Sequence, residues 1–122
     1  MRLHGQRWTY RLGWNVIHVD NAFDAWGRGN ERLVIDGVVH GQETSWMKRS
    51  TTIAAPVVLA DGVEHRFEAF IRGGVVRMFC EATLDGQPVQ PEAVLETDWK
   101  GAQDSWPDEA EWKPEGWIAK RP

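Results

Sequence analysis

The sequence has a single cysteine, Cys80, in 122 residues. No disulfide can form within the chain, so the fold rests on burial and hydrogen bonding, and a reduced, cytoplasmic setting is expected. Long apolar runs are missing as well. Nothing approaches the roughly 20 residues that cross a bilayer, and Met1 to Arg7 carries charge without the apolar stretch of a signal peptide behind it. Basic clusters are absent. Fourteen Lys and Arg stand against 18 Asp and Glu, for a formal net charge of −4, the wrong sign for a surface that gathers phosphates. Neither nucleic acid nor a membrane is an expected partner.

The patterns that carry chemistry are also thin. His4, His18, His40 and His65 are scattered, with no i, i+4 pair and no metal-ligand spacing. Cys80 falls within an alternating strand, where a free thiol behaves as a small hydrophobe. Ser45 and Ser50 lack the Gly-x-Ser-x-Gly turn that exposes a nucleophile. Asp20 with Asp24, or Glu64, Glu68 and Glu81, are the only groupings that suggest paired carboxylates, and alternating charge is the ordinary property of a solvated strand. Gly27-Arg28-Gly29-Asn30 leads into a strand rather than a helix, so it reads as a turn and not a phosphate loop. The expectation is a protein with no catalytic residue, no metal and no cofactor.

What is present is β structure. Val63, His65, Phe67, Ala69 and Ile71 alternate with Glu64, Arg66, Glu68, Phe70 and Arg72, and after Gly73-Gly74 the alternation resumes with Val76, Met78, Cys80, Ala82 and Leu84. A two-residue loop at Gly73-Gly74 predicts a hairpin that pairs Ile71 with Val76, Ala69 with Met78, Phe67 with Cys80, His65 with Ala82 and Val63 with Leu84. Its other face sets Arg66 against Glu81 and Phe70 against Arg77. An Asp-Gly turn signal recurs at Asp36-Gly37, Asp61-Gly62 and Asp85-Gly86, each closing an apolar run. Further strands are read at Arg7–Leu12, Asn15–Asp20, Arg32–Ile35 and Thr51–Leu59, with Pro56 marking an edge or bulge position. The predicted fold is all-β, an antiparallel β-sandwich of about six to eight short strands.

Residues 1–95 are assigned to the sandwich and residues 96–122 to an acidic, Trp-rich tail packing on the sandwich or on a partner. Within the tail, Ser105-Trp106-Pro107-Asp108-Glu109 reads as the capped start of one short helix, Pro107 to Lys113. Tryptophan is the compositional outlier, with eight in the chain, four of them in this tail. Trp14 and Trp26 are expected in the core, because a large ring is the natural filler of a small sandwich.

The strands Val16-Ile17-His18-Val19 and Arg32-Leu33-Val34-Ile35-Asp36-Gly37-Val38-Val39, the Asp61-Gly62-Val63-Glu64-His65 turn and the closing Ala82-Thr83-Leu84-Asp85-Gly86-Gln87-Pro88-Val89 resemble one repeat of the Fas apoptotic inhibitory molecule family. The resemblance spans Trp14 to Leu95. It implies a compact antiparallel sandwich that acts through protein contacts, and it supplies no catalytic motif to carry over. Animal members of that family hold two such units in tandem, whereas this chain has room for one, and the tail has no counterpart in the pattern.

The functional expectation is therefore a non-enzymatic protein-interaction domain of the inhibitor, immunity or adaptor kind. Its partner is another protein with a basic surface, or a second copy of the chain. Candidate contact residues are Trp46, Phe70, Phe79, Trp99, Trp106, Trp112 and Trp117, since aromatics anchor interfaces and acidic charge steers cationic partners. The alternative is a small-molecule or carbohydrate-binding module with tryptophan stacking platforms, and a small hydrolase ranks third.

Overall fold

The computed structural model of the chain describes residues 2–46, 50–73, 78–102 and 105–114, with backbone alone at 45 and 46. They form two packed antiparallel sheets. The strands are β1 (Arg2–Leu12), β2 (Asn15–Asp24), β3 (Arg28–Ile35), β4 (Val38–Trp46), β5 (Thr51–Val58), β6 (Glu64–Gly73), β7 (Met78–Leu84), β8 (Gln87–Val89), β9 (Ala93–Lys100) and β10 (Lys113–Pro114). The larger sheet runs β10-β9-β1-β2-β3-β4 and the smaller β5-β6-β7-β8. The fold is an all-β sandwich. No helix among the described residues is long and apolar enough to cross a membrane.

Two meanders, β1 to β4 and β5 to β8, repeat one local device. Asp36-Gly37 and Asp85-Gly86 both take the left-handed conformation, with φ of 48° and 83° at the first turn and 49° and 81° at the second, as a two-residue hairpin loop requires. Each aspartate then reaches back to the strand before its hairpin. Asp36 accepts from Val16 N (2.8 Å) and Asn15 Nδ2 (2.8 Å), and Asp85 accepts from Arg66 N (2.8 Å) while bonding His65 Nδ1 (2.5 Å). Their own amides donate to Val16 O and Arg66 O.

The core lies between the sheets, where Trp8, Tyr10, Ile17, Val19, Leu33 and Ile35 meet Ile53, Val57, Phe67, Ala69, Ile71 and Met78. Tyr10 stands edge-on to Phe67 at 5.3 Å between centroids. Pro56 lies on β5, an edge strand of the smaller sheet.

Several sequence expectations are corrected. The β6–β7 register is shifted by four residues. Ile71 faces Cys80, Ala69 faces Ala82 and Phe67 faces Leu84, and the partner expected for Ile71, Val76, lies outside the described residues along with Gly74 and Arg77. Because the shift is even, the inward set survives, and Phe67, Ala69, Ile71, Met78 and Ala82 are all buried. The outward pairs do change. Phe70 now faces Glu81, and Arg72 stands over the Phe79 ring at 5.3 Å. Trp14 and Trp26 are not core residues. They occupy the β1–β2 and β2–β3 connections and are 88% and 80% exposed, and the tryptophan that fills the core is Trp8. The larger sheet also continues past Leu95, since β9 runs to Lys100 along β1. In place of the expected helix there is one 3-10 turn, Glu109–Glu111. Ser105 does not cap it, because its hydroxyl donates to Ala102 O (2.7 Å) and accepts from Trp99 Nε1 (3.1 Å).

Candidate functional site

On the outer face of the larger sheet, Arg7, Asp20 and Arg32 stand directly opposite one another across β1, β2 and β3. Asp20 is fully buried and takes Arg7 Nε at 2.7 Å, Arg7 Nη2 at 2.9 Å and Arg32 Nε at 2.9 Å. Glu109, brought over by the 3-10 turn, closes the outer edge of the Arg7 guanidinium. Burial opposes the charge on Arg7, but the hydrogen bonds to Asp20 and Glu109 outweigh it and hold the guanidinium above its ordinary pKa. Glu109 is correspondingly held below the usual carboxylate value by its hydrogen bond to Arg7. Such a network of paired charges tolerates burial only because each member is hydrogen-bonded.

The tail tryptophans cover this network. Trp106 lies over the Arg32 guanidinium at 4.3 Å and Trp112 over that of Arg7 at 4.6 Å, within the range of a cation–π contact. Trp99 lies with Trp112 against Gly5, where an added Cβ would sit 2.9 Å from Trp99 Cζ3 and 3.2 Å from Trp112 Cη2. Gly5 is thus the place where the sheet admits two indoles at close approach. Of the expected contact residues, Trp99, Trp106 and Trp112 are turned onto their own sheet. The side chain of Trp46 and the whole of Trp117 lie outside the described residues.

The inward side of the larger sheet carries a second polar feature that alternation alone did not reveal. Glu96, Gln6, Asn21, Glu31 and Glu43 form one row across β9, β1, β2, β3 and β4. The three central residues are buried. Gln6 Oε1 accepts Met78 N from the opposite sheet at 2.8 Å, and Asn21 Nδ2 donates to Glu31 at 3.3 Å. The signal in the sequence was the extension of β3 back to Arg28, through a segment read as a turn.

The exposed apolar surface is gathered in a different place. Among the described residues, Trp14, Val38, Val39, Val58 and Val63 are exposed and stand at one end of the sandwich, Trp14 and Val63 on the β1–β2 and β5–β6 connections, Val38 and Val39 at the start of β4 and Val58 at the end of β5. Asn15 ties this end together, since its Nδ2 donates to Asp36 and to Val58 O. Exposed carboxylates of Asp36, Asp61, Glu64 and Asp85 ring the same end. There His65, expected on the inner face, is held at the rim between Asp85 (2.5 Å) and Asp61 (2.9 Å), and both bonds raise its pKa. Phe70 and Phe79 point outward from the smaller sheet, about two-fifths exposed.

No protein-family model matches the chain, and neither a curated protein nor a solved structure resembles it significantly. The chemistry must be read from the residues alone. Cys80 is a poor nucleophile, because burial pushes its thiol up to about 12. Among the described residues no three His, Cys, Asp or Glu side chains are grouped to hold a metal ion.

Proposed function

We propose that this domain works by binding another protein, without a reaction of its own, through the apolar end of the sandwich and its acidic collar. The observation that carries this reading is the clustering of Trp14, Val38, Val39, Val58 and Val63 at one end of the sandwich, tied there by Asn15. Scattered single apolar residues are normal on a surface, but a contiguous group rimmed by polar residues marks a contact site. The collar of Asp36, Asp61, Glu64 and Asp85 favours a partner with a basic surface and speeds its approach. Phe70 and Phe79 supply a second aromatic contact on the outer face of the smaller sheet. The reading agrees with the contact-based role that the resemblance to the Fas apoptotic inhibitory molecule repeat implies.

Purification from the native cell with wild-type bait, and with a Trp14→Ser, Val63→Ser double variant, tests it. The expected result is a basic protein retained by the wild type at low salt and lost with the variant. Recovery of the same proteins by both baits rejects this end as the binding surface.

A further inference from the structure

The opposite end of the sandwich holds a cleft of about 240 Å³ between the start of β1 and the end of β2. That is below the roughly 300–1,000 Å³ of sites for drug-sized ligands, so it suits one side chain. Leu3, Phe23 and Ala25 make its apolar wall, and the His4 ring stands edge-on to Phe23 at 5.1 Å. Burial holds His4 below the ordinary imidazole value despite Glu96 and Asp98 pulling it up. Asp24 and Asp98 supply negative charge. Asp24 Oδ1 is committed to the amides of Trp26 (2.8 Å) and Arg28 (3.2 Å) and shapes the hairpin. Asp98 Oδ2 accepts Arg2 Nη2 at 2.7 Å, although the Arg2 side chain is 66% exposed while that of Asp98 is only 14% exposed.

An apolar wall ending at a sheltered carboxylate is the complement of a methylene stem ending in a cation. A guanidinium fits better than an ammonium, because it is planar, stacks on rings and pairs with carboxylates through a fixed fork. Arg2 shows that Asp98 accepts this group. Its exposed stem makes it an easily displaced occupant, since surface ion pairs are weak. We propose that this cleft receives the side chain of an arginine from the protein partner, its stem against Leu3, Phe23 and Ala25 and its guanidinium on Asp98 in place of Arg2. Trp26, exposed next to Ala25, then lies where the partner's backbone leaves the cleft. The proposal rests on the reading of the protein as a binding domain, but it concerns the other end of the sandwich.

The test is an NMR titration of the full chain with a capped tripeptide centred on arginine, and with the same peptide centred on uncharged citrulline. Saturable shifts at His4 and Phe23 with the arginine peptide alone are expected. Arg2→Ala should tighten binding several-fold and Asp98→Asn weaken it by at least about tenfold, or about 1.4 kcal/mol. Unchanged resonances at Ala69 and Ala82 verify the fold. Equal binding of the citrulline peptide, no saturable shift at millimolar peptide, or no gain from Arg2→Ala overturns the proposal. These outcomes are read at His4 and Phe23 and leave the capture experiment on Trp14 and Val63 untouched, so the two readings fail separately.

Discussion

The two sheets turn very different outer faces to the surroundings, although they draw on the same residue types. On the larger sheet, Arg7, Asp20 and Arg32 form a cross-strand row that is sealed under Trp106, Trp112 and Glu109. On the smaller sheet, Arg66, Glu68, Arg72 and Glu81 stay near solvent, and the Arg66–Glu68 contact is a loose 3.3 Å pair between exposed side chains. Charge and strand position alone do not distinguish them. What differs is the cover. A returning segment converts one set of ions into a structural network, and the other set remains a solvated surface.

The contrast is broken most severely by removing the centre of the covered network. Arg7→Met leaves the fully buried Asp20 to the Arg32 guanidinium, and a loss of about 3 kcal/mol is expected from chemical denaturation. Adding Asp20→Leu should recover part of that loss, because the uncompensated charge is then gone. Gly5→Ala ranks next. It thrusts a methyl group against Trp99 and Trp112, so a cost of about 1–3 kcal/mol is expected, with a change in Trp fluorescence as the indoles shift. Glu109→Gln keeps the shape of the cover and removes a charge whose side chain is largely exposed, so less than about 1 kcal/mol should be lost. On the bare face, Arg66→Ala should move stability by no more than about 0.5 kcal/mol. A large loss there would erase the distinction between the two faces.

The smallest effects are titrations, followed by NMR of the imidazoles. His65, hydrogen-bonded to Asp85 and then Asp61, should titrate above 6.5. Its stabilising share is complete below 6.5 and disappears as the pH rises through the raised midpoint. His4 and His18, depressed chiefly by burial, should titrate below 6.5. They favour the fold above 6.5 and weaken it as the pH falls through their lowered midpoints. A His65 midpoint at or below 6.5 would mean that the Asp61–Asp85 clamp does not hold in solution.

Much of the fold was legible in the alternation of apolar residues. The inward sets on β6 and β7 hold despite the register shift, because a slip by an even number of residues preserves the face. The register itself was not legible, since Gly73-Gly74 is followed by further residues with no strong turn signal of their own. The outward placement of Phe70 and Phe79 follows from the same alternation. The core role expected for Trp14 and Trp26 failed because both fall between strands, where a period of two says nothing about burial. The candidate site was less legible still. The row from Glu96 to Glu43 joins five strands, and the apolar end joins residues 24 to 49 positions apart in the chain, from Trp14 to Val38 and Trp14 to Val63.

The lone cysteine and the missing basic and apolar runs, taken with the period of two and the Asp-Gly turns, determined by themselves that this chain builds a sandwich without a disulfide. Those are local or compositional properties, and each acts within a few residues. The tertiary structure alone decided that Asp20 lies between two arginines, that tail tryptophans cover them, and that the apolar turns share one end. Each of those outcomes depends on contacts between residues distant in sequence, and such contacts leave no periodic trace in the chain.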